Sequence, residues 1–530
     1  MYSPRQKLLW FAFSTRVMVL VLQAVTNFII PDHVANVFVS PEDANLRRTW
    51  GDAAVDTLLG GLKRWDAQYF IHIAQYGYTY ENCLAFFPFF PLVVRYVSYG
   101  LNSVVGSFLN IHSSILISAT VINLIMFIKS ADILHRLSLR ILRSESKAYK
   151  SVVLYCVNPA SIFFSAPYSE TLFAFMSFYT MLKCTENETL RFANIDIVSG
   201  LPAGFSMITR SNGSVNLGFI FYTSFRNVIE RTLPEIVYKY RTLKRRIILP
   251  FLFLPLVTSC VSLFSTVIIA LIPFVLVQTY NYLKFCVPGQ HNLPEFLSNT
   301  EYVLPGRGDS PWCNSSLPLS YQYIQNHYWD VGLFKYYRLK QIPNFLLASP
   351  ILFLIMYHCM SYIKNNPKLC FTLGIRSNFG YTNKVPYRQK QYSKSFGAND
   401  PSFFVYIVHM IFLCIFCIMF VHIQVSTRLL ASASPVLYWI GSYKMNVGPT
   451  PTSDQNTINE HFRRIGIGKR IPSHHLSIAN LEGVDNMYSK WKTFIISRWM
   501  PDFQSRLIQY YFLGYFLIGT VLFSNFYPWT

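Results

Sequence analysis

Long apolar runs recur along this chain, and shorter polar stretches separate them. A run near or above about 18 residues is long enough to cross a bilayer as a helix. The strongest are Leu8–Ile30, Ile111–Ile128, Ile247–Val277, Phe345–Tyr362, Phe403–Val425 and Leu507–Phe526. Weaker runs lie at Leu84–Leu101, Val152–Ser165, Leu172–Leu182, Ile195–Ile208 and Val215–Phe225. Together they predict an all-α polytopic membrane protein with roughly ten to thirteen spans. Between the first two strong runs the pattern changes. Ala67, Phe70, Ile71 and Ala74 fall at helical spacing, with Gln68, His72 and Gln75 opposite. That predicts a short amphipathic helix lying on the membrane plane. Asp66 stands where its N-cap would be.

Polar segments interrupt the apolar pattern at residues 31–83, 286–344 and 444–505. Pro and Gly mark turns in the second. The third is basic and rich in Gly, Pro, Ser and Asn, the composition of a partly disordered insertion. Nothing reads as a separate soluble domain, so residues 1–530 form a single integral-membrane unit. No internal repeat of the kind found in secondary transporters is visible.

Charge refines this picture. Only 13% of residues are charged, yet the formal net charge is +21. The Lys and Arg flank apolar runs, which suits anionic lipid and argues against nucleic acid. Arg5 and Lys7 precede the first run, which reads as an uncleaved signal-anchor with its N-terminus in the cytosol. Residues 31–83 then face the lumen. The ten cysteines are too scattered for a disulfide framework. Cys414 and Cys417 form a CxxC inside an apolar run, where core packing is the expectation. Cys286 and Cys313 differ, because both border the second polar segment. A bridge between them is expected in an oxidising lumen, with Cys83 as the competing partner. Asn314-Ser315-Ser316 is the most accessible glycosylation acceptor. Asn187-Glu188-Thr189 and Asn212-Gly213-Ser214 fit the pattern but lie close to apolar runs.

Candidate chemistry falls in three places. Asp66 follows Arg64 and Trp65, and serves either as a helix cap or as a catalytic base. The second polar segment carries Trp312, Gln322, Gln325, Tyr328, Trp329, Gln341 and Asn344. Amides bond hydroxyl pairs and aromatic faces cover sugar rings, although an aromatic belt has the same composition. At membrane depth stand Asn158-Pro159, Glu170, Arg210, His422, Gln424 and Arg428. Ionisable groups there are functional candidates, and Arg210 and Arg428 suit either a lipid phosphate or a snorkelling anchor. No P-loop, GxGxxG, HExxH, GxSxG or DxD pattern stands in a usable context, which points away from a soluble nucleotide-sugar donor.

Taken in order, these clusters resemble the PIG-V family, GPI mannosyltransferase 2. The matching stretches are Arg64-Trp65-Asp66-Ala67; Gly77-Tyr78 with Ala85-Phe86-Phe87-Pro88; Asn158-Pro159-Ala160; Tyr168-Ser169-Glu170; and Thr209-Arg210-Ser211-Asn212-Gly213. They continue through Pro311-Trp312-Cys313, Tyr328-Trp329-Asp330-Val331-Gly332, Lys340-Gln341-Ile342-Pro343-Asn344-Phe345, His422-Ile423-Gln424-Val425 and Pro528-Trp529-Thr530. The resemblance implies a GT-C-type glycosyltransferase of the endoplasmic reticulum membrane with a lumenal site. It would transfer mannose from dolichyl-phosphate-mannose, as the second, α-1,6-linked sugar, to a mannosylated glucosaminyl-phosphatidylinositol. The family's Trp-Asp pair maps to Trp65 and Asp66. Asp66 is then the catalytic residue. The candidate substrate-binding residues are Arg64, Trp65, Glu170, Arg210, Gln322, Gln325, Tyr328, Trp329, Gln341, Asn344, His422, Gln424 and Arg428. No cofactor and no obligatory metal are expected, and an accessory membrane subunit is left open. The rival readings are another dolichyl-phosphate-mannose-dependent GT-C enzyme and a lipid transporter or scramblase.

Overall fold

The computed structural model describes every residue except 1–2, 36, 42, 188–196, 243–248, 290–292, 299–300, 376–395, 397–399, 445–502 and 530. Almost all of the basic segment 444–505 therefore lies outside the described residues. Helices dominate the rest, and no strand occurs among the described residues. In chain order they are α1 (Pro4–Ile29), α2 (Trp50–Leu59), α3 (Ala67–Tyr76), α4 (Phe89–Val105), α5 (Ile111–Leu142), α6 (Glu145–Cys156), α7 (Glu170–Asn187), α8 (Gly200–Met207), α9 (Leu217–Asn227) and α10 (Leu233–Thr242). Then follow α11 (Leu249–Phe285), α12 (Glu295–Ser298), α13 (Ser320–Trp329), α14 (Ile342–Asn365), α15 (Pro367–Phe371), α16 (Phe404–Met419), α17 (Ser426–Ala433), α18 (Val436–Lys444) and α19 (Phe503–Ser524).

Six of these helices are long and apolar enough to cross a membrane, and each coincides with one of the strong runs. The weaker runs become shorter helices or helix-turn pairs packed between them. The run Phe403–Val425 does not continue as one helix. It stops at Met419, and His422 to Val425 form a turn before α17 starts. Side-chain caps set several starts. Ser3 and Gln6 form a capping box on α1, Thr49 and Asp52 one on α2, and Asn110 caps α5.

Between α6 and α7 the backbone leaves the α-helical path, and residues 157–169 are buried. Such a break is tolerated only where protein groups replace the lost ladder. Arg16, on α1 and 1% exposed, supplies much of this. It donates to the Ser161 carbonyl at 2.7 Å and the Cys156 carbonyl at 2.9 Å, and its guanidinium lies 4.0 Å from the centre of the Phe127 ring. Asn123 donates to the carbonyls of Ala166 at 2.5 Å and Tyr168 at 3.2 Å. This braced turn delivers Glu170 to the start of α7.

The two polar segments pack on each other. Phe38, Ile73, Tyr80, Cys83, Phe285, Leu297, Trp312 and Ile324 form a second apolar core, separate from that of the bundle. A disulfide joins Cys286 and Cys313, with Cα atoms 5.4 Å apart, and Cys83 is a buried free thiol. Helix α3 departs from the picture of a helix resting on a membrane surface. Its polar side is also covered, and His72 is fully buried between Ser40 at 2.7 Å and Thr79 at 2.6 Å. Burial pushes that imidazole down to about 3, so it stays neutral and bridges the two hydroxyls.

Candidate active site

Asp66 occupies the N-cap position of α3, yet its side chain caps nothing. The carboxylate turns inward and accepts from Arg428 Nη2 at 2.7 Å. Of the two sequence-level roles for Asp66, the capping one is thereby removed. The preceding residue explains the turn. Trp65 has φ +55°, a left-handed conformation that costs a bulky side chain about 1–3 kcal/mol. Its indole N–H is buried without a partner.

Arg428, on α17, also reaches Glu170 at 3.6 Å, and Glu170 pairs in turn with Arg210. Carboxylates and guanidiniums thus alternate as Asp66, Arg428, Glu170 and Arg210. Glu170 is wholly buried, both arginine side chains are about one-seventh exposed, and the Asp66 side chain is 31% exposed. The chain therefore opens at Asp66. Glu170 Oε2 and Arg428 Nε are buried without partners, so its hydrogen-bonding capacity is not exhausted. The rings of Phe163 and Tyr168 lie 5.2 and 5.4 Å from the Arg428 guanidinium. Gly213 lets the turn after Arg210 press on α8, because a Cβ there would stand 2.2 Å from the Ser206 carbonyl oxygen.

A neutral cluster forms beside this chain. The Tyr336 hydroxyl donates to Gln341 Oε1 at 2.7 Å or Gln424 Oε1 at 3.0 Å, and Asn344 Nδ2 donates to Tyr336 at 2.8 Å and to Gln341 at 2.7 Å. The His422 ring stacks on Tyr336 with centroids 4.5 Å apart. Burial holds its imidazole below the ordinary value, against an opposing hydrogen bond to the Trp329 carbonyl and the nearby charges of Asp330 and Asp66. His422 thus packs on the neutral cluster and lies within electrostatic reach of Asp66.

Against this geometry, a family model described as Mannosyltransferase (PIG-V) matches residues 5–530. The chain belongs to the PIG-V mannosyltransferase family. GPI alpha-1,6-mannosyltransferase 2 of Cricetulus griseus is 35% identical, over 100% of this chain and 99% of its own length. The Homo sapiens protein of that name is 34% identical over 99% of each. GPI mannosyltransferase 2 of Drosophila melanogaster is 32% identical over 99% of this chain and 100% of its own. Among solved structures, an Archaeoglobus fulgidus oligosaccharyltransferase tethered with an acceptor peptide aligns over 94% of this chain and 59% of its own. At 11% identity and a TM-score of 0.36, that likeness carries no argument.

The remaining candidate residues of this mannosyltransferase separate into groups. Tyr328 and Trp329 end α13 beside the first polar segment, where Trp329 meets Tyr69 and Phe86 edge-on at 5.9 and 6.0 Å. Arg64 is committed elsewhere. It donates to Asn27 at 2.7 Å, Asp32 at 3.0 Å and the Ser524 carbonyl at 3.1 Å, bracing the first polar segment against α1 and α19. Gln322 is exposed and Gln325 half-buried, and the side chain of neither bonds to the charged chain or the neutral cluster. Asn314 is exposed, whereas Asn212 is buried and the Asn187 acceptor runs into residues outside those described. Sequence reasoning missed Tyr336 and Glu81. Each is one polar group in an aromatic neighbourhood, and only the fold reveals how many partners converge on it.

Proposed function

We propose that this enzyme transfers the second mannose, in α-1,6 linkage, from dolichyl-phosphate-mannose to the mannosylated glucosaminyl-phosphatidylinositol precursor of GPI anchors. The site would face the lumen of the endoplasmic reticulum. Full-length likeness to relatives named GPI alpha-1,6-mannosyltransferase 2 supports the substrate assignment. The observation that carries the mechanism is the reachable carboxylate of Asp66 held on Arg428 at the open end of a buried charge chain.

A β-linked donor and an α-linked product require one inverting displacement. The acceptor hydroxyl oxygen attacks the anomeric carbon, the bond from that carbon to the phosphate oxygen breaks, and its electron pair leaves with dolichyl phosphate. Asp66 takes the hydroxyl proton. Arg428 and Arg210 are the phosphate partners. An incoming phosphate is a further anion competing for Arg428, and as it draws the guanidinium toward itself Asp66 is released to act. A monophosphate leaving group is small enough for guanidinium neutralisation, so no obligatory metal or other cofactor enters this reading. Gln341, Asn344 and Gln424 present amides to sugar hydroxyls, with Trp329 as an apolar face.

Rescue of surface GPI-anchored proteins in cells lacking the second mannosyltransferase tests the assignment. Restored display by wild type and failed display by Asp66→Asn at matched expression are expected. Absence of rescue by wild type, with rescue of another dolichyl-phosphate-mannose-dependent pathway, would transfer the enzyme to that pathway.

A further inference from the structure

We propose that Glu81 is a positioning residue, which fixes the Tyr328–Trp329 end of α13 against the first polar segment and so sets where Trp329 stands relative to Asp66. This rests on the reading of Asp66 given above. Glu81 is 1% exposed. Its Oε1 accepts from Trp312 Nε1 at 2.8 Å and from the Ser310 hydroxyl, and its Oε2 accepts from the Tyr328 hydroxyl at 2.8 Å. Its backbone N–H donates to the Val303 carbonyl at 3.0 Å. Every one of these partners belongs to the second polar segment, and no ion pair with Lys or Arg is formed by Glu81 among the described residues.

The chemistry specifies a carboxylate. A carboxylate accepts only, through two oxygens with room for several donors, whereas a glutamine offers one acceptor oxygen and brings donors of its own. Burial beside Glu81 pushes the Tyr328 phenol upward, so it remains a protonated donor. Tyr328 holds its neighbour Trp329, whose ring abuts Tyr69 and Phe86. Tyr69 lies one helical turn from Asp66 on α3. The Cys286–Cys313 bridge fixes the residue next to Trp312. A path of direct contacts therefore runs from Glu81 to within a turn of the proposed base.

The test uses the full-length enzyme with a short-chain dolichyl-phosphate-mannose and a synthetic mannosylated acceptor. Tyr328→Phe removes the one hydroxyl that reaches Glu81 Oε2 and should raise the acceptor KM about tenfold while kcat stays within about twofold. Glu81→Gln retains an oxygen for Trp312 and Ser310 and should raise KM about threefold. The double variant should be no worse than Tyr328→Phe, because both changes cut one contact. An unchanged KM in Tyr328→Phe, or effects that multiply in the double variant, would overturn the proposal. Asp66→Asn in the same assay separates the two ideas, since it should lower kcat and spare KM. Wild-type kcat in Asp66→Asn beside a raised KM in Tyr328→Phe removes the catalytic reading and keeps the clamp. The opposite pattern keeps Asp66 and removes the clamp.

Discussion

The charged chain Asp66–Arg428–Glu170–Arg210 and the neutral cluster around Tyr336 sit side by side but are built on opposite principles. In the first, like charges would face each other if either inner member, Arg428 or Glu170, were lost, and polar atoms remain unpartnered inside. In the second, the amides satisfy one another and nothing carries charge. Buried ion pairs return little net stability, because desolvation offsets their attraction, yet breaking one is costly. The inner members Arg428 and Glu170 are therefore expected to be intolerant of change, and the neutral cluster adjustable. That division fits a site in which one part handles developing charge and the other reads hydroxyls.

The sharpest way to break the comparison is Asp66→Asn. An asparagine can still accept from Arg428, and no cap is lost because the carboxylate caps nothing. The fold should persist while kcat falls by about 10²- to 10⁴-fold. Wild-type turnover in a steady-state assay would place the base elsewhere. Glu170→Gln attacks the buried end of the chain. It takes away the carboxylate that Arg210 pairs with and leaves Arg428 with Asp66 alone. Breaking a buried pair of this kind costs about 3–5 kcal/mol, so the thermal midpoint in detergent should drop by several degrees. An unaltered midpoint would mean that the arginines find counter-charge from another source.

Much of the charged chain could be read from the sequence as residues, but not as pairs. Asp66, Glu170, Arg210 and Arg428 each stood out as ionisable groups beside apolar runs. Their alternation depends on a left-handed Trp65, a non-helical turn braced by Arg16 and Asn123, and a helix that stops at Met419. None of these leaves a periodic signal, since each is a local exception sustained by distant contacts. The long helices were legible because a continuous apolar run is itself the cause of a spanning helix. The shorter runs were ambiguous for the same reason, being too short for length to decide. Glu81 stayed invisible because its partners lie more than two hundred residues away.

Acid should separate the two regions. The folded His422 imidazole is held below its ordinary 6.5, chiefly by burial. Below that ordinary value the unfolded chain takes up a proton that the folded site resists. Its contribution to stability is thus present above pH 6.5 and lost as pH falls toward the lowered folded value. The slope is at most about 1.4 kcal/mol per pH unit, and less because the ring is partly exposed. His422→Gln should flatten the dependence of the thermal midpoint on pH between 6.5 and 5. An equal slope in that variant would assign the acid sensitivity to other groups, of which the deeply buried His72 is the first candidate.

Tyr336→Phe should have the smallest effect, and its smallness is the informative part. The hydroxyl is the hub of the neutral cluster, accepting from Asn344 and donating to Gln341 or Gln424. Removing it does not strand those groups, because Asn344 already donates to Gln341 at 2.7 Å and Gln424 can rotate its amide toward the site. A hydrogen bond whose partners can re-pair is worth about 0.5–1.5 kcal/mol, which is roughly a threefold to tenfold rise in KM for whichever substrate sugar binds there. Stability and kcat should hardly move. A loss as large as that of Asp66→Asn would show that Tyr336 meets the reacting atoms, and the division between a charge-handling part and a hydroxyl-reading part would collapse. No change in KM for donor or acceptor would instead leave the cluster as packing between α14 and the turn before α17, with the sugar read by Trp329 and its neighbours alone.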